Sequence, residues 1–382
     1  MDILVSCDKF RGSLTAREAN AIILEALASS DLTAAGNAIA IAIADGGEGT
    51  LDALASPTLA FRTTAVTAPF DGTIDAPWGY DGAAGRAVIE MAGAAGHAHV
   101  TAGYDPDRAT SAGIGDLIRA ALDAGAREIV VAVGGSITVD GGAGALEALG
   151  ARYFAADEEP VVRPAGRALR TVESVDLSGL DPRLSGVRII LAADVDNPLV
   201  GERGAARVFG PQKGVAADDI DAFDAALAHF DGRLATAKGA APLADTPFAG
   251  AAGGIMVGLA AAAPTEAVDG FSLVFRQQRL EERIAAADLV ITGEGSLDAQ
   301  SLSGKGPVAV ARAAMAAGKP VIAFAGRIAV TPAELAAEGV CAAFAIGRGP
   351  ASLQEALETG GASLAATARA VFDAIAIGRP KG

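Results

Sequence analysis

Short apolar runs alternate with helical patterns near the amino terminus. The apolar residues 3–6 predict a buried strand, and Thr15 followed by Glu18 predicts the capped start of a helix. A second apolar run at residues 38–44 ends at a glycine-rich loop, and residues 51–55 have a short helical pattern. The first part of the chain is therefore predicted to contain two strand-loop-helix units.

Strand and helix patterns alternate in the same way near the carboxyl terminus. Strands are predicted at residues 288–292, 320–325 and 342–346. The helices that follow them are predicted at residues 307–317, 332–338 and 353–375, with the last one interrupted at Gly360 and Gly361. Together the two ends supply five strand-plus-helix units, the number needed for a small doubly wound parallel sheet of the flavodoxin type.

The middle of the chain has a different pattern. Strand-like runs at residues 62–66, 87–90, 128–133 and 187–192 are mixed with helices and glycine-rich turns. We predict an α/β protein of two lobes, with a flavodoxin-like lobe built from residues 1–60 and 284–382 and an inserted α/β lobe built from residues 61–283. In such a design the active site is expected in the cleft between the lobes.

Composition narrows the class of protein. Of 382 residues, 51% are hydrophobic but only 4% are aromatic, which favours helices packed on a sheet of aliphatic strands. The net charge of −16 argues against a nucleic-acid partner. It also means that an anionic substrate would need local cations or a bound metal, and we expect Mg²⁺.

The cysteines and the apolar stretches indicate the cellular compartment of the protein. Cys7 and Cys341 lie far apart, so they predict neither a disulfide framework nor a zinc site. The start of the chain does not fit a signal peptide, and apolar stretches such as residues 253–263 are too short to cross a bilayer. We expect a cytoplasmic protein without a membrane partner, and homo-oligomerisation stays open.

Charged residues in the first loop are candidates for substrate binding. The loop after the first predicted strand places Asp8, Lys9, Arg11 and Ser13 at the carboxyl end of that strand, where open α/β sheets bind ligands. These cations suit an anionic substrate or phosphate. The alternative is a surface loop with a local ion pair.

Two other loops carry pairs of acids beside glycines. Asp45 and Glu48 lie in one loop, and Glu294 and Asp298 lie in the other, where they are candidate ligands of a hydrated cation. Turns with helix-capping acids would explain both loops equally well.

A third group of loops is suited to phosphate. Gly134, Gly135, Ser136 and Thr138 follow a predicted strand and offer hydroxyl and backbone N–H groups before a helix begins; a β-bulge with a helix cap is the alternative. Lys213 belongs to a locally basic stretch. The glycines of residues 250–254, including the candidate nucleotide-binding Gly253 and Gly254, permit close approach of a nucleotide, although packing alone would also explain them.

Acid chemistry is predicted at the loop after residues 187–192. Alternation along an extended chain places Asp194 and Asp196 on one side, so that one could bind Mg²⁺ while the other accepts a hydroxyl proton. A polar turn is the alternative. Asn197 completes this loop, and Lys305 lies in a later turn from which it could reach a phosphate.

Six ordered motifs resemble those of the glycerate kinase family, and the resemblance covers essentially the whole chain. They are CDKFRGSLTA (7–16), ADGGEGT (44–50), GGSITVDGGAG (134–144), DVDNPL (194–199), FGPQKG (209–214) and ITGEGSLDAQSLSG (291–304). The resemblance implies transfer of the γ-phosphoryl group of ATP to glycerate at its 2-hydroxyl, in a two-lobed fold unrelated to P-loop kinases. Asp194 or Asp196 would then deprotonate the hydroxyl, Lys9 and Arg11 would hold the carboxylate, and Lys213 or Lys305 would stabilise the transferred group.

Three other functions stay open on the sequence alone. The chain could phosphorylate another hydroxy acid or a sugar acid. It could be a ligand sensor without turnover, because Val139 stands where the family usually has Asn. A redox enzyme is the third reading, although the glycines at 304 and 306 match a dinucleotide pattern poorly because they follow a polar loop instead of a strand.

Overall fold

The computed structural model describes residues 1–30, 32, 36–101, 103–304, 306–347 and 349–378. The chain divides into two compact units. Unit 1 consists of Met1–Asp45, Asp52–Leu54 and Phe271–Gly382, and unit 2 consists of Gly46–Leu51 and Ala55–Gly270.

Strands and helices alternate through most of the chain. The strands are β1 (Ile3–Cys7), β2 (Ala38–Ala40), β3 (Leu59–Thr67), β4 (Thr73–Asp81), β5 (Arg86–Glu90), β6 (Glu128–Ala132), β7 (Arg152–Phe154), β8 (Pro160–Val161), β9 (Ser174–Asp176), β10 (Arg188–Ala193), β11 (Thr265–Asp269), β12 (Leu289–Leu297), β13 (Val321–Ile328) and β14 (Ala342–Ala345). The helices are α1 (Ala16–Ala28), α2 (Thr50–Ala53), α3 (Met91–Ala95), α4 (Ala112–Asp123), α5 (Ala143–Ala148), α6 (Ala205–Phe209), α7 (Ile220–Lys238), α8 (Ile255–Ala262), α9 (Gly270–Gln277), α10 (Leu280–Ala286), α11 (Pro307–Ala316), α12 (Pro332–Ala337), α13 (Leu353–Glu358) and α14 (Gly360–Ile377). Short 3₁₀ turns lie at His97–His99, Gly166–Thr171, Pro182–Gly186, Pro211–Lys213, Ala217–Asp219, Ala251–Gly253 and Ser301–Ser303.

Unit 1 is built on a five-stranded parallel sheet. Its strand order is β14-β13-β12-β1-β2, and every neighbouring pair is parallel. Numbered within the unit, this order is 2-1-3-4-5, which is the flavodoxin-type doubly wound order. The predicted α/β class and doubly wound parallel sheet are therefore confirmed.

Helices cover both faces of this sheet because apolar residues on β1 alternate between the faces. Ile3 and Val5 pack with Ile23 of α1 and Phe372 of α14 on one face. Leu4 packs on the other face, in the same cluster as residues of α10 and α11. The capping box predicted at Thr15 and Glu18 is confirmed, and it fixes the start of α1.

The second predicted strand is shorter than its apolar run. Only Ala38–Ala40 form β2, but the chain stays beside β1 after the strand ends. The N–H of Ile41 donates to the carbonyl of Val5 at 2.9 Å, and the N–H of Ile43 donates to that of Cys7 at 3.2 Å. Asp45 therefore lies near the carboxyl end of β1.

The carboxyl-terminal helical pattern is divided as the glycines predicted. Helix α13 ends at Glu358 and α14 begins at Gly360. By length and composition alone α14 could cross a membrane, with a mean hydropathy of 1.2. Its residues Leu364, Val371 and Phe372 are buried in the core of unit 1, which is typical of a core helix.

Unit 2 contains a six-stranded mixed sheet and a small antiparallel sheet. The larger sheet has the order β11-β10-β6-β5-β4-β3, in which β11, β10, β6 and β5 are parallel and the β5-β4 and β4-β3 pairs are antiparallel. The smaller sheet has the order β8-β7-β9. The parallel strands of the larger sheet all end at one edge, which therefore collects the loops that follow them.

Candidate active site

The sheet of unit 1 has its switch point between β1 and β12. Cys7, the last residue of β1, pairs with Gly293 of β12. Asp8 and Glu294 follow these two residues, so both acids lie where an open α/β sheet binds its ligands. The N–H of Asp8 donates to the carbonyl of Gly293 at 2.9 Å and holds the first loop against β12.

Asp8 is a buried carboxylate. Burial raises its pKa to about 6; the nearby charges of Lys9 and Arg11 oppose this rise, and that of Asp45 adds to it. One carboxylate oxygen accepts the backbone N–H of Lys9 at 2.7 Å. The other faces Gly306, where an added Cβ would lie 3.3 Å away.

Glu294 is the second acid at the switch point with a strongly raised pKa. Burial raises its pKa to about 7, the hydroxyl of Ser301 opposes the rise, and the charges of Asp8, Asp298 and Asp45 reinforce it. Its Oε1 atom is buried and has no hydrogen-bond partner among the described residues. Because an unpaired buried carboxylate oxygen is costly, this atom suits a bound cation.

Asp8, Asp45, Glu294 and Asp298 together form what we call the carboxylate cluster. Lys9 partly neutralises it, with its Nζ 3.7 Å from Oδ1 of Asp45. The carboxylate of Asp298 accepts the hydroxyl of Ser296 at 3.3 Å and the N–H of Gln300 at 2.9 Å. Within the described ranges, no three His, Cys, Asp or Glu side chains could hold a metal ion by themselves, so a cation here would need further ligands.

The other predicted residues of unit 1 differ in setting. Arg11 is exposed. The hydroxyl of Ser13 donates to the carbonyl of Leu357 at 2.7 Å, so this serine ties the first loop to α13. Lys305 lies outside the described residues.

Two predicted glycine loops meet in unit 2. The N–H of Gly134 donates to the carbonyl of Gly46 at 3.1 Å, and a Cβ on Gly134 would lie only 2.6 Å from the Cα of Gly47. Gly46 has a φ of +94°, and a Cβ on it would lie 2.7 Å from the carbonyl oxygen of Ala192. Only glycine allows this close packing at the strand ends.

Glu90, at the end of β5, holds the same region and was missed in the sequence. Its carboxylate accepts the N–H groups of Gly49 at 2.9 Å and Leu51 at 2.7 Å. It therefore fixes the loop that carries Glu48, whose own side chain is exposed. Sequence gave no signal for this contact, because Glu90 lies about 40 residues from the loop and looks like an ordinary strand end.

Lys213 is buried against the glycine loop that follows β6. We call residues 134–142 together with Lys213 the lysine loop. The ammonium donates to the hydroxyl of Ser136 at 2.9 Å and to the carbonyl of Thr138 at 3.0 Å, and the residue is only 3% exposed. Burial lowers its pKa to about 7, while the charge of Asp140 opposes this shift.

Asp140 organises the lysine loop, and the sequence did not single it out. It is fully buried and accepts the N–H of Ser111 at 2.8 Å, the hydroxyl of Ser111 at 2.7 Å and the N–H groups of Gly142 and Gly144. Burial raises its pKa despite these bonds. An Asp just before two glycines and a helix is a signal that could have marked it as a loop-fixing residue.

Gly253 and Gly254 pack against the lysine loop. The N–H of Gly141 donates to the carbonyl of Gly253 at 2.9 Å, and a Cβ on Gly253 would collide with the carbonyl oxygen of Thr138. Packing therefore requires glycine at position 253 without any ligand. Their assignment to nucleotide stays a prediction.

Asp194 and Asp196 differ in their surroundings. Asp194 follows β10 directly and is half-buried, and the bond from the N–H of Val133 to the carbonyl of Ala192 places it beside the start of the lysine loop. Asp196 is 65% exposed and pairs with Arg203. The side-chain amide of Asn197 donates to the carbonyl of Arg203 at 2.7 Å, so Asn197 stabilises the same turn.

Val139 is buried in the apolar core of unit 2. Its side chain packs with aliphatic residues of that core. The reading of the chain as a sensor without turnover stays a prediction.

A doubly wound sheet with acids at its switch point, and a glycine loop closed by a lysine, are typical of α/β enzymes that bind phosphorylated ligands. Comparison with known proteins narrows this class. The family model described as "Glycerate kinase family" matches residues 3–376. A glycerate kinase of Bacillus subtilis (strain 168) is 39% identical over 99% of both chains, and a glycerate 2-kinase of Escherichia coli (strain K12) is 38% identical over 99% of both chains.

Solved structures agree with this relationship. A crystal structure of a candidate glycerate kinase 2 from Salmonella typhimurium LT2 is similar with a TM-score of 0.85, at 38% identity and 99% coverage of both chains. The chain belongs to the glycerate kinase family, and it is accordingly an enzyme of the kinase class.

Proposed function

We propose that this enzyme transfers the γ-phosphoryl group of ATP to the 2-hydroxyl of glycerate and releases 2-phosphoglycerate. The observation that carries the proposal is similarity over nearly the full length of the chain to relatives named glycerate kinase and glycerate 2-kinase. Phosphoryl transfer needs positioning and charge neutralisation more than covalent chemistry. The carboxylates of unit 1 are suited to binding a metal cation, and the buried Lys213 of unit 2 is suited to binding an anionic phosphate.

Mg²⁺ is proposed at the carboxylate cluster. The unpartnered Oε1 of Glu294 fits a cation, and Asp45 and Asp298 are proposed to bind it through water molecules, with the phosphates of the nucleotide as further ligands. Bound Mg²⁺ supplies neutralisation of charge on the phosphate oxygens. Water is part of this proposal because no three described His, Cys, Asp or Glu side chains could hold a metal ion by themselves. Glu48 stays a predicted metal ligand.

Asp194 is proposed as the base that accepts the proton of the glycerate hydroxyl. A carboxylate within reach of the hydroxyl removes its proton as the oxygen attacks phosphorus. Asp196 is a weaker candidate because its carboxylate is already paired with Arg203. Asp8, Lys9, Arg11, Ser13 and Asn197 remain the proposed substrate-binding residues, with Lys9 and Arg11 assigned to the glycerate carboxylate.

The lysine loop is proposed to hold phosphate. Gly134, Gly135, Ser136 and Thr138 offer backbone and hydroxyl groups, and the ammonium of Lys213 lies against the last two. Lys213 and Lys305 would stabilise negative charge on the transferred group. Gly253 and Gly254 pack closely against this loop.

Product identification tests the proposal directly. The enzyme would be incubated with ATP, Mg²⁺ and glycerate, and phosphorus NMR would distinguish 2-phosphoglycerate from 3-phosphoglycerate. A panel of other hydroxy acids and sugar acids serves as the specificity control. Exclusive formation of 3-phosphoglycerate would overturn the position of attack, and faster turnover of another acid would overturn the substrate.

A further inference from the structure

Unit 1 contains a large cavity, and the roles above use only Arg11 and Ser13 of its lining. Its volume is about 760 Å³, and it lies at the carboxyl ends of β13 and β14. Phe10 and Arg11 of the first loop line one part of it, and residues of α13 and α14 line another. Gly295, the residue directly after Glu294, also lines it, so the cavity adjoins the part of β12 that carries Glu294.

The size and lining of the cavity indicate the kind of ligand. A volume of this order is typical of sites for drug-sized molecules and cofactors, and it is far larger than a small acid such as glycerate requires. Ile346, Leu353 and Leu357 give it apolar walls. The side chain of Leu353 is 75% exposed, so it is accessible to a ligand.

Two glycines at neighbouring strand ends form part of the wall, since Gly295 of β12 and Gly326 of β13 both line the cavity. A Cβ on Gly326 would lie 2.6 Å from the carbonyl oxygen of Gly295, so the two backbones pack closely there. A planar base can approach such a surface closely, as glycines allow in nucleotide-binding loops.

Positive charge borders the cavity. Arg11 and Arg327 both line it, and neither forms an ion pair with a carboxylate that the structure describes. Guanidinium groups recognise phosphate oxygens in bidentate fashion. Because Arg11 is already assigned to the glycerate carboxylate, Arg327 is the arginine that we assign to phosphate. Arg11 marks the side of the cavity that is formed by the loop carrying Asp8.

We propose that this cavity binds the nucleoside part of the phosphoryl donor, a nucleoside triphosphate, with Arg327 facing its phosphates. This inference rests on the proposed function, because it assigns a place to the donor of that reaction. The apolar walls cover the base, and the phosphate chain extends toward the carboxylate cluster.

Two substitutions in the cavity test the inference. Ala356→Trp fills it from α13, and Leu353→Asp places a negative charge in its wall; both positions are exposed, so both variants are expected to fold. The matched controls in the same unit are Ala336→Trp on α12 and Ile377→Asp on α14, which are exposed outside the cavity. Folding is checked by circular dichroism and thermal unfolding.

The readouts are the Kd for ATP measured by calorimetry without glycerate, and the KM values for ATP and glycerate. Both cavity variants are expected to raise the Kd and the KM for ATP by about tenfold or more, with the KM for glycerate changed by less than about twofold. The controls are expected to match the wild type.

Unchanged ATP binding in both folded variants would overturn the cavity assignment while leaving glycerate phosphorylation intact. A rise in the KM for glycerate alone would overturn it too, since the cavity would then take the acid. If the wild type binds ATP and both cavity variants lose that binding, yet no glycerate is phosphorylated, the cavity assignment stands and the proposed function fails.

Discussion

The strand ends of the two units bury opposite charges. In unit 1, burial raises the pKa of Asp8 and Glu294 at the carboxylate cluster. In unit 2, burial lowers the pKa of Lys213 at the lysine loop. The cause is the same, since removal from water disfavours the charged form of either group. Burial of a charged group is therefore unfavourable in each unit. A bound cation in unit 1 and a bound anion in unit 2 would offset this cost.

The largest expected effect is on kcat, and it differs between the two acids that follow β10. Asp194→Asn is expected to lower kcat by about 10³-fold, because an amide cannot accept the hydroxyl proton. Asp196→Asn is expected to lower kcat by less than about tenfold, since its carboxylate is held by Arg203. Steady-state kinetics measure both, with the exposed Asp157→Asn as the control. Near-normal turnover of Asp194→Asn would exclude it as the base.

Removing the positive charge of Lys213 tests whether unit 2 binds an anion. Lys213→Met keeps the volume of the side chain and is expected to lower kcat/KM for ATP by about a hundredfold, because a phosphate loses an ammonium in a site of low dielectric. The exposed Lys238→Met on α7 is the control. Wild-type kcat/KM in Lys213→Met would show that the lysine loop does not hold the reacting anion.

Removing a negative charge from unit 1 tests the other side. Glu294→Gln is expected to raise the Mg²⁺ concentration that gives half-maximal activity by a factor on the order of ten to a hundred, as loss of a ligand contact usually does. The measurement is a Mg²⁺ titration of initial rates at saturating ATP. The same titration of Glu338→Gln, a surface acid paired with Arg312, is the control.

The pKa of Lys213 predicts a pH dependence. Because this pKa is lowered to about 7, the ammonium loses its proton above that pH, and kcat/KM for ATP is expected to fall by about tenfold per pH unit there. In Lys213→Met this limb of the profile should be absent. A profile that is flat to pH 9 in the wild type would contradict the role of the ammonium.

The smallest expected effect is on stability, and its sign is set by Glu294. Its folded pKa of about 7 lies above the ordinary value of 4.5, so the folded protein binds more protons than the unfolded chain between these pH values. Stability is lost as pH rises through this window. Glu294→Gln is expected to raise the free energy of unfolding at pH 8 by on the order of 2 kcal/mol and to change it little at pH 4. Denaturant unfolding at both pH values, without added divalent cations, measures this difference.

The sequence predicted local structure better than contacts across the fold. The apolar periodicity of β1 and the cap at Thr15 depend on neighbouring residues, so the elements could be read directly. The pairing of Asp196 with Arg203 and the bonds made by Glu90 and Asp140 depend on how distant loops meet, which no local pattern contains. Likewise, glycines at 253 and 254 look the same in sequence whether they face a ligand or a neighbouring backbone. The limits of the two predicted lobes and the roles of the site residues stay predictions.

The parallel pairing of β1 with β12 has a consequence for biogenesis. The hydroxyl of Thr292 donates to the carbonyl of Ser6 across 286 positions of the chain. During synthesis, β1 and α1 leave the ribosome long before their partner strand exists, whereas residues 55–270 of unit 2 are contiguous and can fold as they emerge. One edge of the amino-terminal strand therefore stays unpaired until just over three quarters of the polypeptide has been translated, and this is the segment on which a holding chaperone would act.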